Sequence, residues 1–222
     1  MAAFVANIGV NSAHAARSPL FDDGSFQLLP IPEEPSWRPP MLRLRDLPEL
    51  AALAPTAWRE RAIHLDPDLN RATPTYGDNC RRAGRAFSLR RAQRGDLIVF
   101  LARLHPVSAP AGFHLVGRLV VEEVVADISE DPGPGWWDGN AHVRRARATS
   151  LWDSFWVFKG APGSGLFPRA VPFARSQAES VFGHGWRWPP HRTELQTIGS
   201  YTRTVRRIEG EGEAWLRAIC PS

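Results

Sequence analysis

Cysteine, tyrosine and lysine are nearly missing from this chain. Its two cysteines, Cys80 and Cys220, are too few for a disulfide framework or a four-thiolate zinc site, so a reduced, cytoplasmic setting is expected. No run of about 18 apolar residues is present, which excludes a transmembrane helix and predicts no membrane partner. Gly-x-Gly-x-x-Gly, P-loop and Gly-x-Ser-x-Gly elements are lacking, which argues against dinucleotide redox chemistry and nucleotide hydrolysis. Ala13-His14-Ala15 has the look of a cleavage site. However, no cationic residue precedes the apolar stretch before it, and Asn7 interrupts that stretch, so a secretion signal is not expected. Lys159 is the single lysine among 27 basic residues. The remainder are arginines, whose forked donors suit phosphates and base edges.

What is there reads as an ordinary globular chain. The 222 residues are 43% hydrophobic and 23% charged, which fits one domain spanning 1–222. Phe4 to Val10 alternates as a strand, with Asn7 and Asn11 on the face opposite Phe4, Ala6 and Ile8. Phe26 to Ile31 reads as a second short strand. The five prolines of residues 30–40 require an extended strap. Asp46 is placed to cap a short helix, and a second helical piece follows Pro55. Residues 63 to 80 are polar and proline-broken, and read as a loop. Leu97 to Leu101 reads as a strand buried on both faces. Gly112 to Val125 reads as one or two more, with Gly117 marking a bulge or a close backbone approach. Trp152 to Phe158 is a further strand candidate. Ser176 to Glu179 and Thr193 to Gln196 have capping-box spacing, with Gly183 and Gly199 as stops. A last helix is expected at about 211–219. Strands and short helices without a βαβ rhythm predict an α+β fold on a mainly antiparallel sheet or small barrel, with short peripheral helices and long loops.

Arginine is clustered. Arg81, Arg82, Arg85, Arg90, Arg91 and Arg94 lie between Asp78 and Asp96 with no acid among them, a local charge of +6 in a chain whose total is +4. Arg144, Arg145 and Arg147 form a second cluster, and Arg203, Arg206 and Arg207 a third. Such clusters are either solvated faces or the footprint of a phosphate backbone. Both tyrosines sit beside charged residues, in Thr75-Tyr76-Gly77-Asp78 and Ser200-Tyr201-Thr202-Arg203. Tyr76 and Tyr201 are read as ring-stacking or hydrogen-bonding groups. Asp78 is either a turn cap or a general base, and Arg203 either a salt-bridge partner or a phosphate contact. His64-Leu65-Asp66-Pro67-Asp68 places a histidine and two carboxylates at alternate positions. No second histidine group with matching spacing accompanies it, since His184 and His191 lie in a Trp-Pro loop without carboxylates, so no metal site is assigned. Trp136, Trp137, Trp186 and Trp188 in Gly/Pro-rich loops either cover a core or form a stacking platform for bases.

Several stretches taken together are familiar. They are Ala6-Asn7-Ile8-Gly9-Val10-Asn11, Arg17-Ser18-Pro19-Leu20-Phe21, Leu29-Pro30-Ile31-Pro32, Leu65-Asp66-Pro67-Asp68, Thr75-Tyr76-Gly77-Asp78, Gly95-Asp96-Leu97-Ile98-Val99-Phe100, and Glu194-Leu195-Gln196 with Gly199-Ser200-Tyr201-Thr202-Arg203. They resemble the third nucleotide-modification-associated domain family from about residue 4 to 208. That resemblance implies a substrate class, nucleotides or their bases, and no particular reaction. A second resemblance is to PUA-like domains of the ASCH and EVE types. It rests on Gly95-Asp96 before an apolar strand and on Phe113 to Val125 with Gly117 inside, and it implies a small barrel holding a base at its mouth.

The resulting expectation is recognition of a nucleobase in nucleic acid, DNA in the first place, within a base-modification pathway, with modification of that base as a further step. Asp78 and Tyr76 are the catalytic candidates. Asn7, Asn11 and Tyr201 would bind the base, and Arg203, Arg90, Arg91 and Arg94 the phosphates. The alternative is an enzyme acting on a free nucleotide or a small phosphorylated substrate. Partners are nucleic acid or a nucleotide, together with other base-modification proteins. No motif specifies a cofactor.

Overall fold

The computed structural model describes every residue except Ser12, Arg82, Ala83, His184, Gly185 and the last three, Cys220 to Ser222. The expectations for Arg82, His184 and Cys220 lie outside the described residues. The strands are β1 (Ala3–Ile8), β2 (Pro19–Leu20), β3 (Ile31–Pro32), β4 (Leu42–Arg43), β5 (Ala62–His64), β6 (Thr75–Asp78), β7 (Leu97–Pro106), β8 (Gly112–Ile128), β9 (Phe155–Gly160), β10 (Gly165–Pro172) and β11 (Arg206–Ile208). The α-helices are α1 (Pro48–Ala51), α2 (Ala141–Thr149), α3 (Arg175–Phe182), α4 (Glu194–Tyr201) and α5 (Glu211–Ile219).

A large mixed sheet runs in the order β11-β1-β7-β8-β9-β6, with β10 added on β8 and β2 on β7. β3, β5 and β4 make a separate three-stranded sheet. The fold is α+β, but the sheet is not purely antiparallel: β1 and β2 both run parallel to β7. Nor is it a closed barrel, because β11 and β6 stand at opposite ends of the strand order. The long β8 serves three partners, β7 and β10 along its first half and β9 along its second. The β7–β8 register shifts next to Gly117, where Gly165 O would lie 2.7 Å from an added Cβ. Gly117 therefore marks both a bulge and a close backbone approach.

β1 corrects the expectation of an open polar face. It lies between β11 and β7 and is buried on both sides. Phe4, Ala6 and Ile8 pack with Phe100, Val116, Tyr76 and Phe158 on one face of the sheet. Ala3 and Val5 pack on the other with Ala178 of α3, Ile198 of α4 and Leu216 of α5. Burying an aromatic ring such as Phe100 completely contributes about 1.5–3 kcal/mol, so these two layers hold the central strands firmly.

Several local expectations need revision. Residues 63–80 are not one loop: they contain β5 and β6, which propensity missed because both strands are very short. Phe26 to Ile31 contributes only a bridge from Leu20 to Phe26 and the first residue of β3. α3 is capped at Ala174, whose N–H donates to Gln177, rather than at Ser176, and it ends at Gly183. The Thr193 capping box forms with both reciprocal bonds. Gly199 is not a stop, though; it sits inside α4 against Phe113. α5 occupies the residues read as the last helix.

Candidate functional site

A cleft of about 610 Å³ opens at the carboxyl ends of the parallel strands β1 and β7. One wall is Asn7 to Asn11, which continues β1. Another is Leu195, Gln196, Gly199, Ser200 and Arg203, from α4 and the turn after it. Tyr76, Gly77 and Asp78 of β6 form a third side. Arg103 of β7 and Phe113 of β8 also line the cleft.

On β6 the period-two geometry of a strand puts Tyr76 and Asp78 on one face. The Tyr76 hydroxyl donates to Asp78 Oδ2 at 2.6 Å. Arg85 donates to the same oxygen from Nε at 3.2 Å and from a terminal nitrogen at 3.0 Å. The Asn79 backbone N–H occupies Asp78 Oδ1 at 2.8 Å. Arg85 also reaches the Asn7 carbonyl at 3.2 Å, which ties β6 to β1. The Tyr76 ring cannot stack on a ligand. It is buried in the core, 5.1 Å from Phe100 edge-on and 6.3 Å from Phe158, and burial raises its phenol well above the usual range.

On the opposite side of β6 lies a group that sequence reasoning assembled only in part. The Asp66 carboxylate accepts the Gly77 N–H with both oxygens, at 3.1 and 2.9 Å, and so caps the free edge of β6. His64 Nε2 stands 3.8 Å from Asp66 Oδ2, and His142 Nε2 3.4 Å from the same atom. One ligand atom from each of these three residues lies within 4.8 Å of the others. His64 Nδ1 is 2.8 Å from Glu33 Oε1. His142 is brought in by the start of α2, where the buried Asn140 caps the helix by accepting the His142 N–H. Burial pushes the Asp66 carboxyl well above the usual carboxylate range, reinforced by Asp78 and Asp68. Burial, with His64 and Arg145 nearby, pushes His142 well below the usual histidine range. The sequence signal available was the His64-x-Asp66 alternation. The third member sits far along the chain in a helix that was not expected.

The remaining sequence-derived candidates divide. Asn7, Asn11, Tyr76, Asp78 and Arg203 all line the cleft. Asn7 Nδ2 donates to Thr202 Oγ1 at 3.1 Å, and Asn11 Oδ1 accepts from Ala13 N at 2.9 Å. Tyr201 is not brought there. Its ring packs on Trp186 at 4.5 Å and Phe182 at 4.9 Å, under the Arg206 guanidinium at 4.1 Å. Arg90, Arg91 and Arg94 do not line the cleft either; they are exposed on and after the 3-10 turn Phe87–Arg91. The loop tryptophans cover cores: Trp136 and Trp137 pack on Val143 and Phe155, and Trp186 and Trp188 on the α3–α5 face.

The three arginine clusters differ in kind. Arg145 pairs with Asp153, and Arg147 with Asp131 and Asp138, while Arg144 is buried. Two of the three arginines of that cluster are thus neutralised by aspartates. Arg207 pairs with Glu209. Among the described residues, Arg81, Arg90, Arg91, Arg94 and Arg203 form no ion pair. Arg103 has none either, and its buried Nε lacks a hydrogen-bond partner. No helix among the described residues is long and apolar enough to cross a membrane.

Residues 3–218 match the family model described as nucleotide modification associated domain 3. Comparison with curated proteins and with solved structures gave no match.

Proposed function

We propose, on the premise that this chain belongs to the nucleotide modification associated domain 3 family, that its cleft receives a nucleotide unit of DNA and recognises the base within a base-modification pathway. The observation that carries this reading is that Arg103, whose buried Nε lacks a partner, and the exposed, unpaired Arg203 meet amide side chains around one cavity. A buried cationic donor without a partner is costly, and a phosphate oxygen satisfies it with a charge-assisted bond. Asn7 Oδ1 and Asn11 Nδ2 remain as an acceptor and a donor for a base edge. The cavity volume falls in the range of about 300–1,000 Å³ typical of small-ligand sites.

Within this reading Asp78 is a positioning residue. Its carboxylate already holds Tyr76, Arg85 and Asn79, and so fixes Arg85 between β6 and β1. The exposed Arg81, Arg90, Arg91 and Arg94 supply an outer track for the phosphate backbone. The competing reading, a free nucleotide or small phosphorylated substrate, uses the same Arg103 and Arg203 and needs no outer track.

Fluorescence anisotropy with labelled single-stranded and duplex oligonucleotides, with nucleoside monophosphates as competitors, separates the two. DNA binding that weakens steeply with salt and is lost at least tenfold in Arg103→Gln with Arg203→Gln is the expected result. Tight monophosphate binding with no oligonucleotide binding would transfer the site to a free nucleotide. Binding of neither at low salt would overturn the proposal.

A further inference from the structure

We infer that His64, Asp66 and His142 form a site for one divalent first-row transition-metal ion, with an open coordination position facing the cleft. The three side chains come from β5, the segment after it and the first turn of α2, and all three line the cavity.

The separations suit ligands of one shared ion rather than partners bonded to each other. His142 Nε2 and His64 Nε2 lie 3.4 and 3.8 Å from Asp66 Oδ2, wider than the about 2.7–2.9 Å of a charge-assisted hydrogen bond. A metal about 2.1 Å from each ligand atom gives a tetrahedral edge of roughly 3.4 Å. The imidazole rings meet edge to face with centroids 4.6 Å apart, and both Nε2 atoms lie near the same carboxylate oxygen.

The surroundings fit the same assignment. Glu33 Oε1 is 2.8 Å from His64 Nδ1. A carboxylate accepts, so Nδ1 carries the proton and Nε2 presents its lone pair, the orientation that an outer carboxylate imposes on a metal-binding histidine. Asp66 is deeply buried, and among the described residues no arginine or lysine pairs with it. Buried carboxylates are ordinarily paired or bound to metal. Among the described residues, the only hydrogen-bond donor to its oxygens is the Gly77 N–H, which leaves lone pairs of Oδ2 toward the histidines. Two imidazoles and one carboxylate suit zinc, iron, cobalt or nickel; calcium and magnesium prefer all-oxygen sets. Three protein ligands beside a cavity leave room for a further ligand, as in catalytic rather than structural sites.

The site is independent of the nucleotide reading, because metal binding is measured without any nucleotide. The full chain, stripped with a chelator, is titrated with Zn²⁺ alone by calorimetry and with Co²⁺ alone by visible absorption. One equivalent per chain, with intense Co²⁺ d–d bands of a four- or five-coordinate N/O site, is expected. His142→Gln should abolish the bands, and Glu33→Gln, which touches no ligand atom except through His64, should weaken affinity about 10–100-fold. Circular dichroism checks that each variant folds. Should His142→Gln fail to fold, Glu33→Gln and His64→Gln carry the test. No stoichiometric binding of either ion, or binding unchanged in the folded variants, would overturn the inference.

Discussion

Tyr76 and Asp78 are joined by a 2.6 Å hydrogen bond on one face of β6, and the residue between them, Gly77, faces the other way toward His142 and Asn140. One four-residue strand thus separates the Arg85-linked half of the cleft from the histidine half. Each half can be perturbed on its own.

Tyr76→Phe removes the phenolic donor and leaves the ring in the core. Asp78 keeps Arg85 and Asn79, so the loss should be about 1–2 kcal/mol. For a chain of this size that lowers the thermal midpoint by roughly 2–8 °C. Calorimetric melting measures it. A drop as large as that of Tyr76→Ala would mean that the hydroxyl matters far more than its one hydrogen bond implies.

Gly77→Ala attacks the other half. An added Cβ would meet His142 Cδ2 at 2.7 Å and Asn140 Oδ1 at 2.8 Å. Those neighbours are buried and cannot swing clear. Overpacking of this kind costs about 1–3 kcal/mol and should displace His142 from Asp66. The expected pattern is moderate destabilisation together with a loss of metal affinity, read by melting and by Co²⁺ titration. Full Co²⁺ binding in Gly77→Ala would contradict the close packing.

Replacing Arg90, Arg91 and Arg94 together by Gln tests the outer track. If they contact DNA phosphates, affinity should fall similarly for all sequences. The slope of log K against log salt should flatten by about 0.9 per lost contact on duplex DNA. Anisotropy titrations at several salt concentrations read the slope. An unchanged slope would remove these residues from the binding surface.

Thr193→Ala removes the side-chain half of the α4 capping box. A cost of about 1 kcal/mol is expected. Because Gln196, Gly199 and Ser200 line the cleft from this helix, ligand binding should weaken along with stability. A variant that melts lower yet binds normally would show that the first turn of α4 does not shape the cavity.

What the sequence made legible follows from the range of the interactions involved. The Thr193 box and α5 are local, written in side chains three or four residues apart, and they were readable. Leu97 to Leu101 was readable as a buried strand because its five residues are all apolar. β5 and β6 were hidden because three or four residues carry no usable period. β1 was misread as having one polar face because Ala3 and Val5 serve a second core layer completed by α3, α4 and α5. The cleft-lining positions Asn7, Asn11, Asp78 and Arg203 stood out through polar residues set beside apolar strands and turns. His142 did not, because nothing near it in the chain marks it. It stands beside Asp66 because the Asn140 cap starts α2 against β6, far from Asp66's own segment of the chain.

The hydrogen bond from Asn7 to Thr202 spans 195 residues, and it closes the wall of the cleft opposite β6. On a ribosome the Asn7 wall emerges long before its counterpart at Thr202. Every nascent intermediate shorter than the α4–β11 stretch exposes β1 without its outer neighbour and holds half a cavity. Joining the two walls is therefore a slow, sequence-distant closure, whereas His64, Asp66 and His142 all precede α4 in the chain and do not wait for it.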